Sequence, residues 1–338
     1  MYRKLIFIIF WLISINNSYA QPKRYSFTEP KMGAPFTIVL YAADSSTAAS
    51  VSEDCFHLVD SLVLIFSDYI DSSELNRLCA AAGKNNPPFP VSPALFDILK
   101  ISARAYNLSN GSFDITLGPL SRLWRRARKE NSWPPADTVK ATLALTGFHK
   151  VQLDTVTRMV ILTQPGMQLD LGGIAQGYIA QKVTERIRLY GIGNALVNVS
   201  GDIVTIGAPP GKEGWTVAIN APRSEEEFLP QNLLITNKAV TTSGDIYQYI
   251  LHNGKKYSHV INPKTGYGIT SQRNVTVIAN DGTTADWLTK AISLMPLRQA
   301  RRLAKQLNAE FLIAEMKRGE LVYHSSESFN NFWKSIAQ

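Results

Sequence analysis

Three short stretches of this chain carry residue types that could do chemistry. In Asp170-Leu171-Gly172-Gly173-Ile174-Ala175-Gln176-Gly177, glycines at 172, 173 and 177 lie between a predicted strand (Gln168 to Leu171) and a predicted helix. Glycine lets a backbone approach a ligand closely, and a helix N-terminus offers free amides and a positive dipole end, so the stretch could cradle a diphosphate. A tight strand-to-helix turn accounts for the same residues equally well. It is not a Walker A loop, because Tyr178-Ile179 replace the Lys and Ser or Thr that should follow Gly177. Nor is Gly191-Ile192-Gly193-Asn194-Ala195-Leu196 a dinucleotide fingerprint, since the third glycine is missing and the segment closes a helix.

The second stretch, Ser258-His259-Val260-Ile261-Asn262-Pro263, sets an imidazole on a strand-like segment that stops abruptly before Lys264-Thr265-Gly266. Such a His could act as a general base or stack on an aromatic ring, and a lone His is also an ordinary structural residue. In the third, Asp286 and Lys290 stand four apart on a predicted helix. That spacing gives an ion pair worth ~0.2–0.5 kcal/mol. Alternatively, Asp286 is a carboxylate ligand for a hard cation that holds phosphate oxygens.

Weaker signals surround these three. Ser200-Gly201-Asp202 and Thr242-Ser243-Gly244-Asp245 each end a strand with hydroxyl, glycine and carboxylate. They suit phosphate or ribose hydroxyls, or a plain turn closed by an Asp side chain. The two echo each other over five residues, too few to tell duplication from chance. The run Arg122-Leu123-Trp124-Arg125-Arg126-Ala127-Arg128-Lys129 reads as a solvated helix face, with an anionic lipid surface or an acidic partner as the alternative.

The elements that must position these residues follow from periodicity. Apolar residues from Val51 to Phe66 recur at helical spacing, so Ala48 to Phe66 is predicted helical. Asn85-Asn86-Pro87-Pro88 ends the next short helix, and Ser92 caps a helix over Pro93 to Leu108. Asn131 to Asp137 is a loop. A hairpin is expected over Val151 to Leu162, and a helix after Gly173 runs to about Tyr190. Strands are expected at Phe36 to Tyr41, Ala195 to Val199, Val204 to Ile206, Trp215 to Ile219, Ala239 to Thr242 and Asn274 to Ala279. Helices follow at Thr284 to Leu294 and Leu297 to Leu307. The class is α+β, with antiparallel strands and long helices on one side.

Composition bounds the rest. Arg3 and Lys4, the apolar Leu5 to Ile15 and the small residues of Ser18-Tyr19-Ala20 make a cleavable signal peptide over residues 1–20. A retained anchor is the alternative, but the apolar run falls short of the ~20 residues a spanning helix needs. Removing the first 20 of 338 residues leaves 318, enough for one large domain or two intimately packed ones, taken as a single domain over 21–338. Losing Arg3 and Lys4 lowers the net charge from +8 to +6. That basicity suits an anionic ligand or membrane surface and is weak support for nucleic acid, which is not expected as a partner. Cys55 and Cys79 are either a disulfide or two buried thiols.

Taken in order, six segments resemble the ApbE family, the FAD:protein FMN transferases. They are Met32-Gly33-Ala34-Pro35-Phe36; Phe66-Ser67-Asp68-Tyr69 with Asp71 to Leu78; Gly111 to Leu120; Leu169 to Gly177; Ala195 to Ile203; and Thr242 to Asp286. The resemblance implies a fold related to the T-fold, with FAD in a cleft between two subdomains. It implies transfer of FMN from FAD to a Thr or Ser of a target flavoprotein, such as a subunit of a membrane redox complex, with release of AMP. Secretion to a periplasm is implied too, in keeping with the signal peptide. A catalytically altered FAD-binding protein, or a diphosphatase splitting FAD to FMN and AMP, is the alternative.

By the same resemblance His259 is the catalytic base. Met32, Tyr69, Ser112, Phe113, Asp114, Asp170, Gln176, Ser243 and Ile261 bind the flavin dinucleotide. Gly173 and Asp286 hold a divalent cation, usually Mg2+, at the diphosphate. Four positions depart from the family pattern: Gln176 replaces Lys, Ser200 replaces Gly, Asn262 replaces Asp, and Lys290 replaces a metal-ligating Thr. An ammonium repels a cation and could sit in its place.

Overall fold

Alternating burial fixes the largest element. Phe36, Ile38 and Leu40 belong to one apolar cluster, while Val39 between them belongs to another on the opposite face. The same holds for Val275 and Val277 against Ile278, and for Phe311 and Ile313 against Leu312. A period of two with both faces apolar makes strands that are covered on both sides. The structure, a computed structural model, describes residues 21–83, 88–222, 227–244 and 249–335. The predicted signal peptide, the helix stop at Asn85-Asn86-Pro87, and Asp245 therefore lie outside the described residues.

Eight strands form the main sheet: β1 Lys23–Lys31, β2 Ala34–Ala42, β3 Ala195–Val199, β4 Asp202–Ile206, β5 Ala239–Gly244, β6 Arg273–Ala279, β7 Glu310–Lys317 and β8 Glu320–Ser325. They lie side by side in that order, and every neighbouring pair is antiparallel. The β2–β3 connection carries six helices: α1 Ser45–Phe66, α2 Glu74–Ala80, α3 Pro93–Leu108, α4 Gly118–Lys129, α5 Ala136–Leu143 and α6 Ala175–Leu189. It also carries a small sheet of Phe89–Pro90, Met159–Leu162 and Val151–Asp154. Two further helices, α7 Gly282–Leu294 and α8 Leu297–Gln306, join β6 to β7. Helices α1, α6 and α7 pack on one face of the main sheet. The other face is covered by a three-stranded sheet, Trp215–Val217, Gln231–Ile235 and Trp333–Ser335, around the fully buried Phe329.

Local chemistry explains the boundaries. Ser92 accepts the Leu95 amide at the start of α3, as predicted, and Asp281 accepts the Thr284 amide at the start of α7. The strand expected at Gln168 to Leu171 does not form. The Leu169 amide goes to Cys79 Sγ and the Asp170 amide to the Ile115 carbonyl, so the backbone is held by the helical insertion instead of a ladder. The two echoing segments adopt different structures. Ser200 and Gly201, both with positive φ, make the β3–β4 turn, whereas Thr242 to Gly244 lie inside β5. Cys55 and Cys79 are both free and buried.

Candidate functional site

The site starts where two helices touch through glycine. A Cβ on Gly177, in the first turn of α6, would strike the Gly282 carbonyl oxygen and come within 2.7 Å of Asp286 Cβ. A Cβ on Gly282 would strike the Gly177 carbonyl in return. Only glycine at both positions lets α6 and α7 approach this closely. The approach brings the fully buried Asp286 of α7 to the start of α6, which has no side-chain cap of its own. Asp286 Oδ2 accepts the Gly177 amide at 3.1 Å, and Oδ1 accepts the Lys290 ammonium at 2.8 Å. A carboxylate from one helix thus caps another at its positive end.

Lys290 lies along Gly173. A Cβ on Gly173 would sit 3.3 Å from Lys290 Cγ and 3.4 Å from Phe113 Cε2. Phe113 in turn packs on Trp287, with ring centroids 5.9 Å apart. The Lys290 side chain keeps 23% of its surface exposed while Asp286 keeps none, so one end of the pair meets solvent. Burial alone would lower the Lys290 pKa, but Asp286 and Asp202 outweigh it and the ammonium stays charged. Asp202, at the start of β4, is buried and accepts the Thr241 hydroxyl at 2.6 Å. Burial, followed by the charge of Asp286, pushes its carboxyl up to about 7, with Lys290 pulling the other way.

A second group forms around Tyr69, a residue 72% exposed. The Arg125 guanidinium of α4 lies 4.1 Å from the centre of that ring and pairs with Asp68 at 2.9 Å. Arg122 donates to Asn76 Oδ1 at 2.8 Å. The basic run is therefore not simply a solvated face: Arg122 and Arg125 turn inward and hold the Asp68–Tyr69 corner. Burial, then the negative charge of Asp170, raises the Asp68 pKa, while Arg125 lowers it. Asp170 Oδ1 accepts the Gly172 amide at 2.8 Å. Met32 has φ +56° and Gly33 φ +75°, a two-residue turn of the kind that matches strand twist, with Met32 in a region that strains a side chain.

The third group is the His259 turn. The Ser258 amide donates to Ile269, Ile269 to Val260, and Asn262 to Tyr267, closing a short ladder around Lys264 to Gly266. Asn262 Oδ1 accepts the Lys264 amide at 2.9 Å, a role Asp would fill equally. Trp124 of α4 donates to the Gly266 carbonyl at 2.7 Å. Helix α4 thus braces the His259 turn with one face and Tyr69 with another.

Other predicted residues are placed less openly. The buried Asp114 accepts the amide and hydroxyl of Thr116, so its carboxylate is committed to a local turn. Ile261 is buried in the cluster of Leu120, Trp124 and Val139. Ser243 is buried within β5. Ser112 lies in the turn after α3, its amide on the Ser109 carbonyl, and Gln176 is half-buried on the first turn of α6. Sequence reasoning passed over Asp68 and Arg125 as site residues, and flagged Asp202 only as part of a turn that could meet phosphate or ribose. For Arg125 a signal existed, since 122, 125 and 128 share one helix face.

These segments occur in the order that defines a known family, whose sequence profile matches residues 32–313. The chain belongs to the ApbE family. An FAD:protein FMN transferase of Klebsiella pneumoniae is 33% identical over 272 residues, covering 80% of this chain and 82% of the relative. One from Haemophilus influenzae is 27% identical, covering 94% of each. The flavin transferase ApbE of Vibrio cholerae superposes with a TM-score of 0.81 at 25% identity, over 92% of this chain and 99% of that one. The ApbE protein of Thermotoga maritima gives 0.80 at 26% identity, with the same coverage. The α+β architecture is thus that of ApbE proteins.

A divalent cation does not fit this ApbE site as it stands. Each Asp286 oxygen already accepts one hydrogen bond, Oδ2 from a backbone amide and Oδ1 from the Lys290 ammonium, so a cation bound to Asp286 would have to share the carboxylate with a positive charge. Mg2+ takes six oxygens in a near-octahedral array, and although waters and phosphates can supply most of them, the protein must still offer a carboxylate free of competing positive charge. A doubly charged ion about 4 Å from an ammonium would be repelled by about 8 kcal/mol at an effective dielectric of ~20.

Proposed function

We propose that this chain transfers FMN from FAD to a Thr or Ser hydroxyl of a target flavoprotein. The observation that carries the reading is the Gly173–Asp286–Lys290 cluster at the start of α6, in a chain whose relatives along most of its length are FAD:protein FMN transferases. Phosphoryl transfer needs positioning and neutralisation of charge more than covalent help from the protein. A fixed ammonium beside a helix N-terminus offers both to a diphosphate.

The acceptor oxygen bonds to the phosphorus on the flavin side of the diphosphate. The bond from that phosphorus to the bridging oxygen breaks, and AMP leaves with the electron pair. The hydroxyl proton passes to a base, for which His259 is the candidate. The exposed Tyr69 ring and its Arg125 support offer an aromatic surface for the flavin, and the strained Met32 turn and Asp170 serve the same ligand. Burial of Ile261 and the commitment of the Asp114 carboxylate to Thr116 give those two side chains a positioning role.

Export to a periplasm by the leader at residues 1–20, and an acceptor in a membrane redox complex, are part of the same proposal. The charged start, apolar run and Ser18-Tyr19-Ala20 support the first. N-terminal sequencing of the secreted form should begin at Gln21.

The deciding experiment incubates the purified chain with FAD and a Thr-bearing acceptor domain. Flavin fluorescence on the acceptor in a denaturing gel supports transfer. Free FMN and AMP with an unlabelled acceptor would mean hydrolysis, and intact FAD would defeat both. His259→Ala should lower the transfer rate by roughly 10²–10⁴-fold while FAD binding persists.

A further inference from the structure

The Asp286–Lys290 pair does more than exclude a metal. Asp286 leaves no oxygen unused, because its two acceptors take the Gly177 amide and the Lys290 ammonium. Lys290 spends one ammonium proton on Asp286, its hydrogen-bond acceptor among the described residues. Its methylenes are fixed against Gly173, and the side chain keeps a solvent-exposed fraction beside the start of α6. Gln176, on the same turn, brings no charge. The Asp286 carboxylate offsets the α6 dipole and Asp202 lies close enough to act on Lys290, so the positive charge this turn can present to an anion is chiefly the Lys290 ammonium.

We propose that Lys290 takes over the duty of a divalent cation: its ammonium, aimed by Asp286 and Gly173, contacts the diphosphate of bound FAD, and the chain works without divalent metal. The inference rests on the transferase reading for its ligand, and it concerns a binding contact made by this chain's own side chain. It adds no chemical step: the bonds made and broken are those given above, with an ammonium in place of a metal ion as counter-charge. A single fixed charge with two further protons to donate is a weaker electrophile than Mg2+, but it is covalently tethered and needs no metal supply.

The test uses the purified full chain and two readouts. FAD binding is measured by calorimetry in EDTA and in Mg2+, and metal uptake by titrating Mn2+ in the presence of FAD and following free Mn2+ by electron paramagnetic resonance. The wild type should bind FAD equally in both buffers, within about twofold, and take up no Mn2+ at micromolar concentration. Lys290→Thr should bind FAD roughly 10- to 100-fold more weakly in EDTA, the usual effect of losing a charge-assisted contact. Mn2+ should restore much of that loss and be taken up. Lys290→Met should be weak in either buffer, and Lys290→Arg should stay within about tenfold of the wild type. Circular dichroism confirms folding, and the wild-type arm needs no variant.

Loss of wild-type FAD binding in EDTA, micromolar Mn2+ uptake by the wild type, or Lys290→Met binding FAD like the wild type would each overturn the proposal. Acceptor labelling that requires Mg2+ would overturn it while leaving the transferase reading intact. Metal-independent, Lys290-dependent FAD binding with no acceptor labelling in either buffer would uphold the Lys290 contact and overturn the transferase reading instead.

Discussion

The two sides of the site are built on opposite principles. On the side of α6 and α7, backbones touch through Gly177 and Gly282, Asp286 is fully buried with both oxygens bonded, and Lys290 is fixed against Gly173. On the side of Tyr69, an exposed ring is propped by the Arg125–Asp68 pair, whose side chains keep 32% and 11% of their surface. The first arrangement cannot be altered without disturbing the packing of two helices on the main sheet. The second hangs from loops and one helix face. The place that must hold a charge steady is rigid, and the place that receives a large flat ring is open. Stability and binding should therefore separate between them under mutation.

The largest expected effect is at Asp286. Asp286→Asn keeps the shape but removes the charge that compensates Lys290 and caps α6. Breaking a buried pair costs ~3–5 kcal/mol, and since Lys290 can turn partly to water the lower end, about 3 kcal/mol, is expected. Thermal melting and FAD calorimetry should both show the loss. A variant as stable as the wild type would mean that the pair is not part of the rigid side.

Next comes Gly177→Ala. The new methyl must displace the Gly282 carbonyl or Asp286 Cβ, and overpacking of this kind costs ~1–3 kcal/mol. For a chain of this size that is a melting-temperature drop of roughly 1–5 °C. FAD affinity should fall with it, because the methyl pushes on the carboxylate that aims Lys290. Unchanged stability would show that the helices can slide apart freely.

This glycine also marks what a sequence can and cannot disclose. Read alone, glycines at 172, 173 and 177 suggested a phosphate cradle. In the structure Gly177 faces Gly282, more than a hundred residues away, and its amide serves Asp286 instead of a ligand. Arg125 finds Asp68 57 residues earlier, a pairing no local pattern encodes. Local signals did succeed where local physics decides. Ser92 and Pro93 start α3, and it ends at Leu108 as the periodicity predicts. Asp286 and Lys290 are paired because four residues make one helical turn. Strand β1 escaped notice because Arg24, Ser26 and Thr28 make one face polar and exposed, and only Tyr25 and Phe27 give the other a thin apolar stripe. Residues 168–171 read as a strand because they alternate, but their amides were claimed by Cys79 and Ile115.

A smaller effect on stability is expected on the open side. Tyr69→Ala and Arg125→Met remove an exposed stacking contact and a partly exposed ion pair, each worth about 1 kcal/mol or less. Melting temperature should barely move, while FAD affinity should fall because the aromatic surface or its support is gone. A drop in stability as large as that of Asp286→Asn would erase the distinction between the two sides.

The smallest and finest probe uses the two thiols. Cys55 lies in α1 on the main core, and burial, with the charge of Asp54, pushes its pKa up to about 12. Cys79 accepts the Leu169 amide just before Asp170, and burial pushes it up to about 11 against that hydrogen bond. At pH 8 the thiolate fractions are therefore on the order of 10⁻⁴ and 10⁻³, so a disulfide-exchange reagent should label neither quickly in the folded chain. Both should react at once in denaturant. In the folded chain Cys79 should react before Cys55. The ratio of the two rates measures how much more readily the Asp170 segment opens than the core under α1. Cys55 reacting faster would mean that the loop-built side is the better protected one, and the contrast between a rigid and an open side would have to be reversed.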